Sequence, residues 1–125
     1  MLVNFLFKNC RSFYQENIFS MQAVKDTELR EINTFSVDSK LMPKDENEFI
    51  KSAVIFGGNA SGKSNVLKAL AYMKNVLLIS ASQFPIVATN ETFAFYENAQ
   101  NEESTYEVEI IQNATYYKYG FTLLK

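Results

Sequence analysis

A cluster of glycines interrupts the chain near its middle. Three of the four glycines in the 125 residues lie within positions 57–62, and a lysine and a serine follow directly. Residues 52–56, just before the cluster, form a continuous apolar run, which is typical of a strand buried on both faces. After it, apolar residues recur at steps of three and four from residue 63 to about residue 80, which indicates an amphipathic helix that Pro85 would end. The sequence therefore predicts a strand, a glycine-rich turn and a helix, in that order.

The glycine cluster fits the pattern G-x-x-x-x-G-K-[ST], which is the phosphate-binding loop or Walker A motif. In this loop glycines let backbone N–H groups point at phosphates, which lie at the positive end of the following helix. Lys63 supplies a charge for the β- and γ-phosphates, and the Ser64 hydroxyl is placed to bind Mg²⁺. A glycine turn that only caps a helix would not require lysine and then serine. The predicted nucleotide contacts are Gly57, Gly58, Asn59, Ala60, Ser61, Gly62, Lys63, Ser64 and Asn65.

The acidic half of a hydrolytic site is missing from the sequence pattern. A hydrolytic P-loop enzyme also places an acidic residue at the end of a second apolar strand, to hold Mg²⁺ and orient water. No apolar run here ends in an acid, and Asp26, Asp38 and Asp45 lie upstream in polar surroundings. We therefore expect this chain to bind nucleotide weakly or not at all by itself, and not to hydrolyse ATP efficiently.

Composition excludes several classes of function. With 12 Lys and Arg against 14 Asp and Glu, a net charge of −2 and no long basic cluster, the chain is unlike a stand-alone nucleic-acid or anionic-membrane binder. The absence of histidine excludes Ser-His-Asp and Cys-His nucleophiles and a Cys/His zinc site, and we predict that Cys10 is a buried apolar filler. We find no signal peptide and no apolar run of the ~18–20 residues that a membrane helix needs, so we expect a cytoplasmic protein without membrane contact.

Strand patterns occupy the two ends of the chain. Residues 2–7 predict a first strand and residues 18–23 a second extended segment, whereas residues 24–48 are polar and predict mostly loop. Residues 92–96 predict a short strand, and residues 106–123 alternate around a polar break, which predicts a hairpin. The hairpin aromatics are compatible with base stacking, but aromatic residues are ordinary strand formers and core packers, so we predict that they are core: Tyr106, Tyr117, Tyr119 and Phe121.

Several segments of the chain resemble known families. Residues 2–13, with the sequence Asn-Cys-Arg-Ser-Phe at 9–13, resemble the first strand and following turn of ABC-type ATPase heads in the SMC, RecF and OLD group. Residues 51–70 are similar to the G-x-N-A-S-G-K-S-N Walker A region of bacterial AAA-type ATP-binding proteins associated with abortive infection and other phage defence. Residues 93–95 and 105–123 are similar to the antiparallel strands that this family carries after its P-loop helix.

The resemblance implies an α/β fold of the P-loop NTPase class, a partial ABC/SMC-like head with a mixed sheet, a P-loop helix and an antiparallel β subdomain. Residues 1–125 would be the N-terminal part of the ATPase domain, and the signature motif, Walker B acids and switch histidine would follow. ATP and Mg²⁺ are the implied cofactors. In the full-length protein two heads would form a homodimer that couples ATP hydrolysis to conformational change, with an effector protein or DNA as further partners.

The resemblance also adds residues outside the glycine cluster. It implies Arg11 and Ser12 as candidate nucleotide contacts, although Arg11 fits an ordinary surface cation equally well. Three glutamines are candidates for the one that senses Mg²⁺ in ABC heads, and no context selects among Gln83, Gln100 and Gln112.

Two other function classes stay open. The chain is compatible with a non-catalytic interaction or regulatory domain that keeps a phosphate loop without turning over nucleotide. A kinase for a small molecule also uses this loop, but we find no constellation that would bind an acceptor. No base-recognition motif distinguishes ATP from GTP.

Overall fold

The computed structural model describes residues 1–25, 28–38, 40–80 and 91–124, which form two antiparallel sheets and one long helix. In chain order the elements are β1 (Leu2–Lys8), β2 (Asn17–Ser20), α1 (Arg30–Asn33), β3 (Thr34–Ser36), β4 (Glu48–Ile50), α2 (Lys63–Ser80), a 3₁₀ helix (Glu97–Asn101), β5 (Ser104–Gln112) and β6 (Thr115–Leu123). The larger sheet has the strand order β2-β1-β5-β6, and β3 pairs with β4 in the smaller one. Every strand pair in these ranges is antiparallel, so the described residues do not form the expected mixed sheet.

The centre of the larger sheet joins residues from the two ends of the chain. In β1 every second side chain is buried, and Phe5 and Phe7 lie opposite Val108 and Tyr106 of β5. Opposite residues of an antiparallel pair project from the same face, so these four side chains form one apolar surface. The predicted first strand is thus confirmed, and its burial depends on a partner about a hundred residues away.

Strands β5 and β6 form the predicted hairpin. They pair from Ser104 opposite Leu123 to Gln112 opposite Thr115. The two residues between the strands, Asn113 and Ala114, both have positive φ angles, of 51° and 54°. Positive φ at both central residues is the geometry of a type I′ turn, whose twist matches that of the flanking strands.

Helix α2 packs on the apolar surface of the larger sheet. Its start at Lys63 agrees with the predicted helix, whereas the predicted stop at residues 83–85 lies outside the described residues. Ala69 and Met73 of α2 are buried in one cluster with Phe5, Tyr106 and the other core residues of β1 and β5. This packing holds the N-terminus of α2 over the sheet. No helix in the described ranges is long and apolar enough to cross a membrane.

Cys10 is buried in the same cluster, as predicted. Burial raises the pKa of the Cys10 thiol. Burial, and then hydrogen bonding with Cys10, also raises the pKa of Tyr106. The thiol therefore behaves as a packed apolar group.

The predicted core role of the hairpin aromatics is correct for only part of the set. Tyr106 is buried, and Phe121 packs against it with ring centroids 5.4 Å apart. In contrast, Tyr117 and Tyr119 are 50% and 40% exposed. They lie on β6, an edge strand, whereas the buried cluster under α2 is centred on β1 and β5.

Two other predicted segments differ from the structure. Residues 52–56 are not a strand and are exposed, and residues 92–96 do not form one either. The described part of residues 24–48 is mostly loop, as predicted, with the short elements α1 and β3 in it, and the extended segment at 18–23 is confirmed in part by β2. A strand forms only where a neighbour pairs with its backbone, and no described strand lies beside residues 52–56.

Glu109, on β5, couples sheet stability to pH. Its carboxylate accepts hydrogen bonds from Asn4 Nδ2 at 2.6 Å and Lys118 Nζ at 3.3 Å. Burial raises the pKa of Glu109, but hydrogen bonds from Asn4, Lys118 and Tyr116 outweigh burial and hold it below the ordinary 4.5. A carboxylate with a lowered folded-state pKa adds stability above its unfolded pKa, and this stability is lost as the pH falls through the folded pKa.

We therefore expect the wild-type free energy of unfolding to fall more steeply below about pH 4.5 than that of Glu109→Gln. Urea denaturation at a series of pH values measures both slopes. Glu103→Gln, which changes an exposed glutamate just before β5, is the matched control. Equal slopes for wild type and Glu109→Gln would contradict the prediction.

Candidate functional site

The glycine cluster forms a turn that leads directly into α2. The Gly62 carbonyl accepts hydrogen bonds from the backbone N–H groups of Asn65, at 2.8 Å, and Val66, at 3.3 Å. Gly62 therefore caps the first turn of the helix, whose leading N–H groups have no partner inside the helix and point towards the loop. The positive end of the helix dipole lies at the same place.

Two of the glycines are required by the shape of this turn. Gly62 has a φ of +89°, and a Cβ atom there would lie 2.7 Å from Ser12 Oγ. A Cβ atom on Gly57 would lie 2.5 Å from Ser61 Oγ. Both distances are shorter than van der Waals contact, so a side chain at either position would require the neighbouring serine hydroxyl to move, and at Gly62 the positive φ would add backbone strain. Gly58, in contrast, faces open space within 4 Å.

The Lys63 side chain folds back over the turn. Its Nζ donates hydrogen bonds to the carbonyls of Gly57 at 2.8 Å and Gly58 at 2.5 Å, and it lies 3.4 Å from Ser61 Oγ. The ammonium group is thus held above the loop by neutral acceptors. A carbonyl oxygen carries no net charge, so an anion at this position would add Coulomb attraction to the hydrogen bond and compete with these acceptors for the ammonium group.

The end of the loop is joined to the segment that follows β1. Asn65 Nδ2 donates a hydrogen bond to Ser12 Oγ at 3.0 Å. Ser12 also lies against Gly62, which leaves no room for a side chain there. The Ser12 hydroxyl is therefore a structural neighbour of the loop.

Arg11 is placed differently from its neighbour. Its guanidinium forms a two-point contact with the carboxylate of Glu91, with Nη1 2.8 Å from Oε2 and Nη2 3.0 Å from Oε1. Its backbone N–H also donates to the Glu91 carbonyl at 2.8 Å. Paired in this way, Arg11 anchors residue 91 and is not among the residues that line the loop cavity.

A cavity of about 380 Å³ lies at the loop. It is within the size range of small-molecule sites. Seven of the predicted contact residues and one residue that the sequence did not indicate line it: Ser12, Ala60, Ser61, Gly62, Lys63, Ser64, Asn65 and Phe95. Gly57, Gly58 and Asn59 belong to the turn but not to the lining. No sequence signal distinguishes Phe95 from the other aromatic residues near it.

The lining matches the chemistry of an Mg²⁺-bound polyphosphate. It provides an ammonium group, a helix N-terminus and the hydroxyls of Ser61 and Ser64, and it contains no carboxylate that would repel an anion. Ser64 is the residue that would bind the metal ion, with phosphate and water oxygens as the usual other ligands of Mg²⁺. The described residues contain no group of three His, Cys, Asp or Glu able to hold a metal on their own.

The two candidate glutamines that the structure describes do not line this cavity. Gln100 lies in the 3₁₀ helix and Gln112 at the end of β5, and neither lines the loop cavity. Gln83 lies outside the described residues.

Part of the chain matches a known protein family. Residues 52–125 match the family described as "AAA domain, putative AbiEii toxin, Type IV TA system". No curated protein and no solved structure matches the chain. The matched region includes the loop and α2, whereas Arg11 and Ser12 lie before it. Because the match spans more than half of the 125 residues, the chain belongs to this family of AAA domains and has the P-loop NTPase class of fold.

Proposed function

We propose that the Gly57–Ser64 loop binds the phosphates of ATP together with Mg²⁺, as the nucleotide-binding part of an ABC/SMC-like ATPase head. The observation that carries this proposal is the position of the Lys63 ammonium, which lies over the loop and contacts two of its carbonyls at the N-terminus of α2. A phosphate at this point would meet a full positive charge and the helix dipole together.

Each residue of the loop has a distinct part in this proposal. Lys63 exchanges the carbonyls of Gly57 and Gly58 for β- and γ-phosphate oxygens, and backbone N–H groups of the turn and the helix start donate to the same phosphates. Ser64 offers its hydroxyl to Mg²⁺, which neutralises phosphate charge when bound. Ser12 and Asn65 hold the helix start in place through their hydrogen bond.

The proposal also covers the activity of the whole protein, of which this site would be one part. We propose that the whole protein couples ATP hydrolysis to a conformational change between two heads, in phage defence, with an effector protein or DNA as partner. Membership of the family supports the defence role. No carboxylate lines the described cavity, which favours binding without efficient turnover by these residues and keeps a non-catalytic regulatory role as the second candidate. Light scattering tests the dimer: a strictly monomeric ATP-bound protein would count against it.

We expect Lys63→Ala to weaken binding of a fluorescent ATP analogue by about 10- to 100-fold, since it removes a hydrogen-bonding charge at the phosphates. Fluorescence anisotropy with and without Mg²⁺ measures the affinity. Lys68→Ala, which removes an exposed lysine further along α2, is the matched control and is expected to bind as wild type does. Equal affinity of wild type and Lys63→Ala would overturn the phosphate role. An ATPase turnover that Lys63→Ala abolishes would overturn the expectation of weak hydrolysis.

A further inference from the structure

Phe95 is an exposed aromatic ring at the edge of the loop cavity. It lines the cavity with Ser12 and the residues from Ala60 to Asn65, and it is the aromatic member of that lining. Its side chain is 86% exposed, which leaves most of a large apolar surface in water. A polar cavity with one apolar wall matches a ligand that has a charged end and a flat apolar end.

The chain on both sides of Phe95 is fixed to the rest of the fold. The backbone N–H of Phe93 donates to Asn9 Oδ1 at 3.1 Å, and the Phe93 ring contacts Phe95 edge to face at 5.7 Å. On the other side, Tyr96 packs edge to face against Tyr14, with ring centroids 5.1 Å apart. The Phe95 ring is therefore presented by an anchored turn, and a ligand would not have to order the segment before contacting it.

We propose that Phe95 is the stacking surface for the nucleobase of the nucleotide whose phosphates bind the loop. This inference rests on the proposed function, because the phosphates must first place the nucleotide in the cavity. Stacking uses the face of the base, and every base has such a face, so stacking on Phe95 does not select one base over another. The bound ligand is thus a nucleoside triphosphate, with ATP and GTP binding to a similar degree.

The absence of tryptophan from the chain gives a direct readout of stacking. Phe95→Trp places a single indole at the edge of the cavity. We expect ATP and GTP to quench its fluorescence, whereas inorganic tripolyphosphate, which has no base, binds without quenching. A tryptophan signal that tripolyphosphate changes as much as ATP does would overturn the stacking role.

The ATP and tripolyphosphate affinities of an alanine variant distinguish contacts to the base from contacts to the phosphates. We expect Phe95→Ala to weaken the affinity for ATP by about 5- to 100-fold and to leave the affinity for tripolyphosphate unchanged. Both affinities are measured by competition with the fluorescent analogue. Tyr117→Ala removes a half-exposed ring on β6 and is the matched control. Circular dichroism checks that all variants fold.

The outcomes distinguish this inference from the function on which it rests. If Phe95→Ala has unchanged ATP affinity, or weakens the affinities for ATP and tripolyphosphate equally, the base-stacking role is overturned. Neither result contradicts the proposed phosphate-binding role of the loop. If the full-length protein binds neither ligand, the proposed function fails and this inference fails with it.

Discussion

Replacing Asn9 with alanine is expected to lower the free energy of unfolding by about 2–4 kcal/mol, because it removes three hydrogen bonds, one buried and two partly buried, at about 0.5–1.5 kcal/mol each. Asn9 is fully buried. Its Nδ2 donates to the carbonyls of Ala99 at 2.6 Å and Glu102 at 3.0 Å, and its Oδ1 accepts from the N–H of Phe93. Its φ of 48° is also one that asparagine tolerates better than alanine.

Urea denaturation of wild type and variant measures this loss. Asn17→Ala is the matched control, since Asn17 makes an exposed hydrogen bond to the carbonyl of Gln15, two residues away. A loss below about 1 kcal/mol for Asn9→Ala would show that water replaces the amide. Because Asn9 also anchors Phe93, the variant is expected to weaken nucleotide binding through the turn that presents Phe95.

Phe5→Ala is expected to cost about 3–5 kcal/mol, as is usual when a buried phenylalanine is truncated in a core that cannot collapse. Phe5 is fully buried at the centre of the larger sheet, and its ring stacks on that of Phe7 with centroids 5.0 Å apart. It shares a cluster with Ala69 and Met73 of α2, so the cavity would open beneath the helix that carries the loop.

Thermal and urea unfolding check this value against Ile18→Ala, which truncates a side chain of β2 that is 60% exposed. We expect the exposed position to cost far less than the buried one. Similar losses at the two positions would show that the cluster under α2 is not the main apolar core.

The predictions that agree with the structure concern neighbours in sequence. Helix α2 begins at Lys63 because its apolar residues recur at the helical period and Gly62 caps its first turn. The hairpin forms because alternation is interrupted at Asn113 and Ala114, which take the turn. The loop geometry is local too, since the Lys63 ammonium reaches carbonyls only five and six residues before it.

The disagreements concern residues whose environment lies far along the chain. An apolar run such as residues 52–56 is compatible with a buried strand, but burial needs pairing partners, and the described strands pair elsewhere. The sequence was equally compatible with Arg11 as a nucleotide contact and with Arg11 as an ordinary surface cation. Its partner Glu91 is 80 residues away, and only the fold brings the two together.

The sequence by itself determined the glycine-rich loop, the helix that follows it and the C-terminal hairpin, because each depends on spacing within a few residues. Only the tertiary structure decided that Asn9 joins the first strand to the segment at 93–102, and that this segment places Phe95 beside the loop. Such contacts join positions about 30 to 90 residues apart, and their free energy is gained only when the whole sheet assembles. No local sequence pattern predicts these long-range contacts.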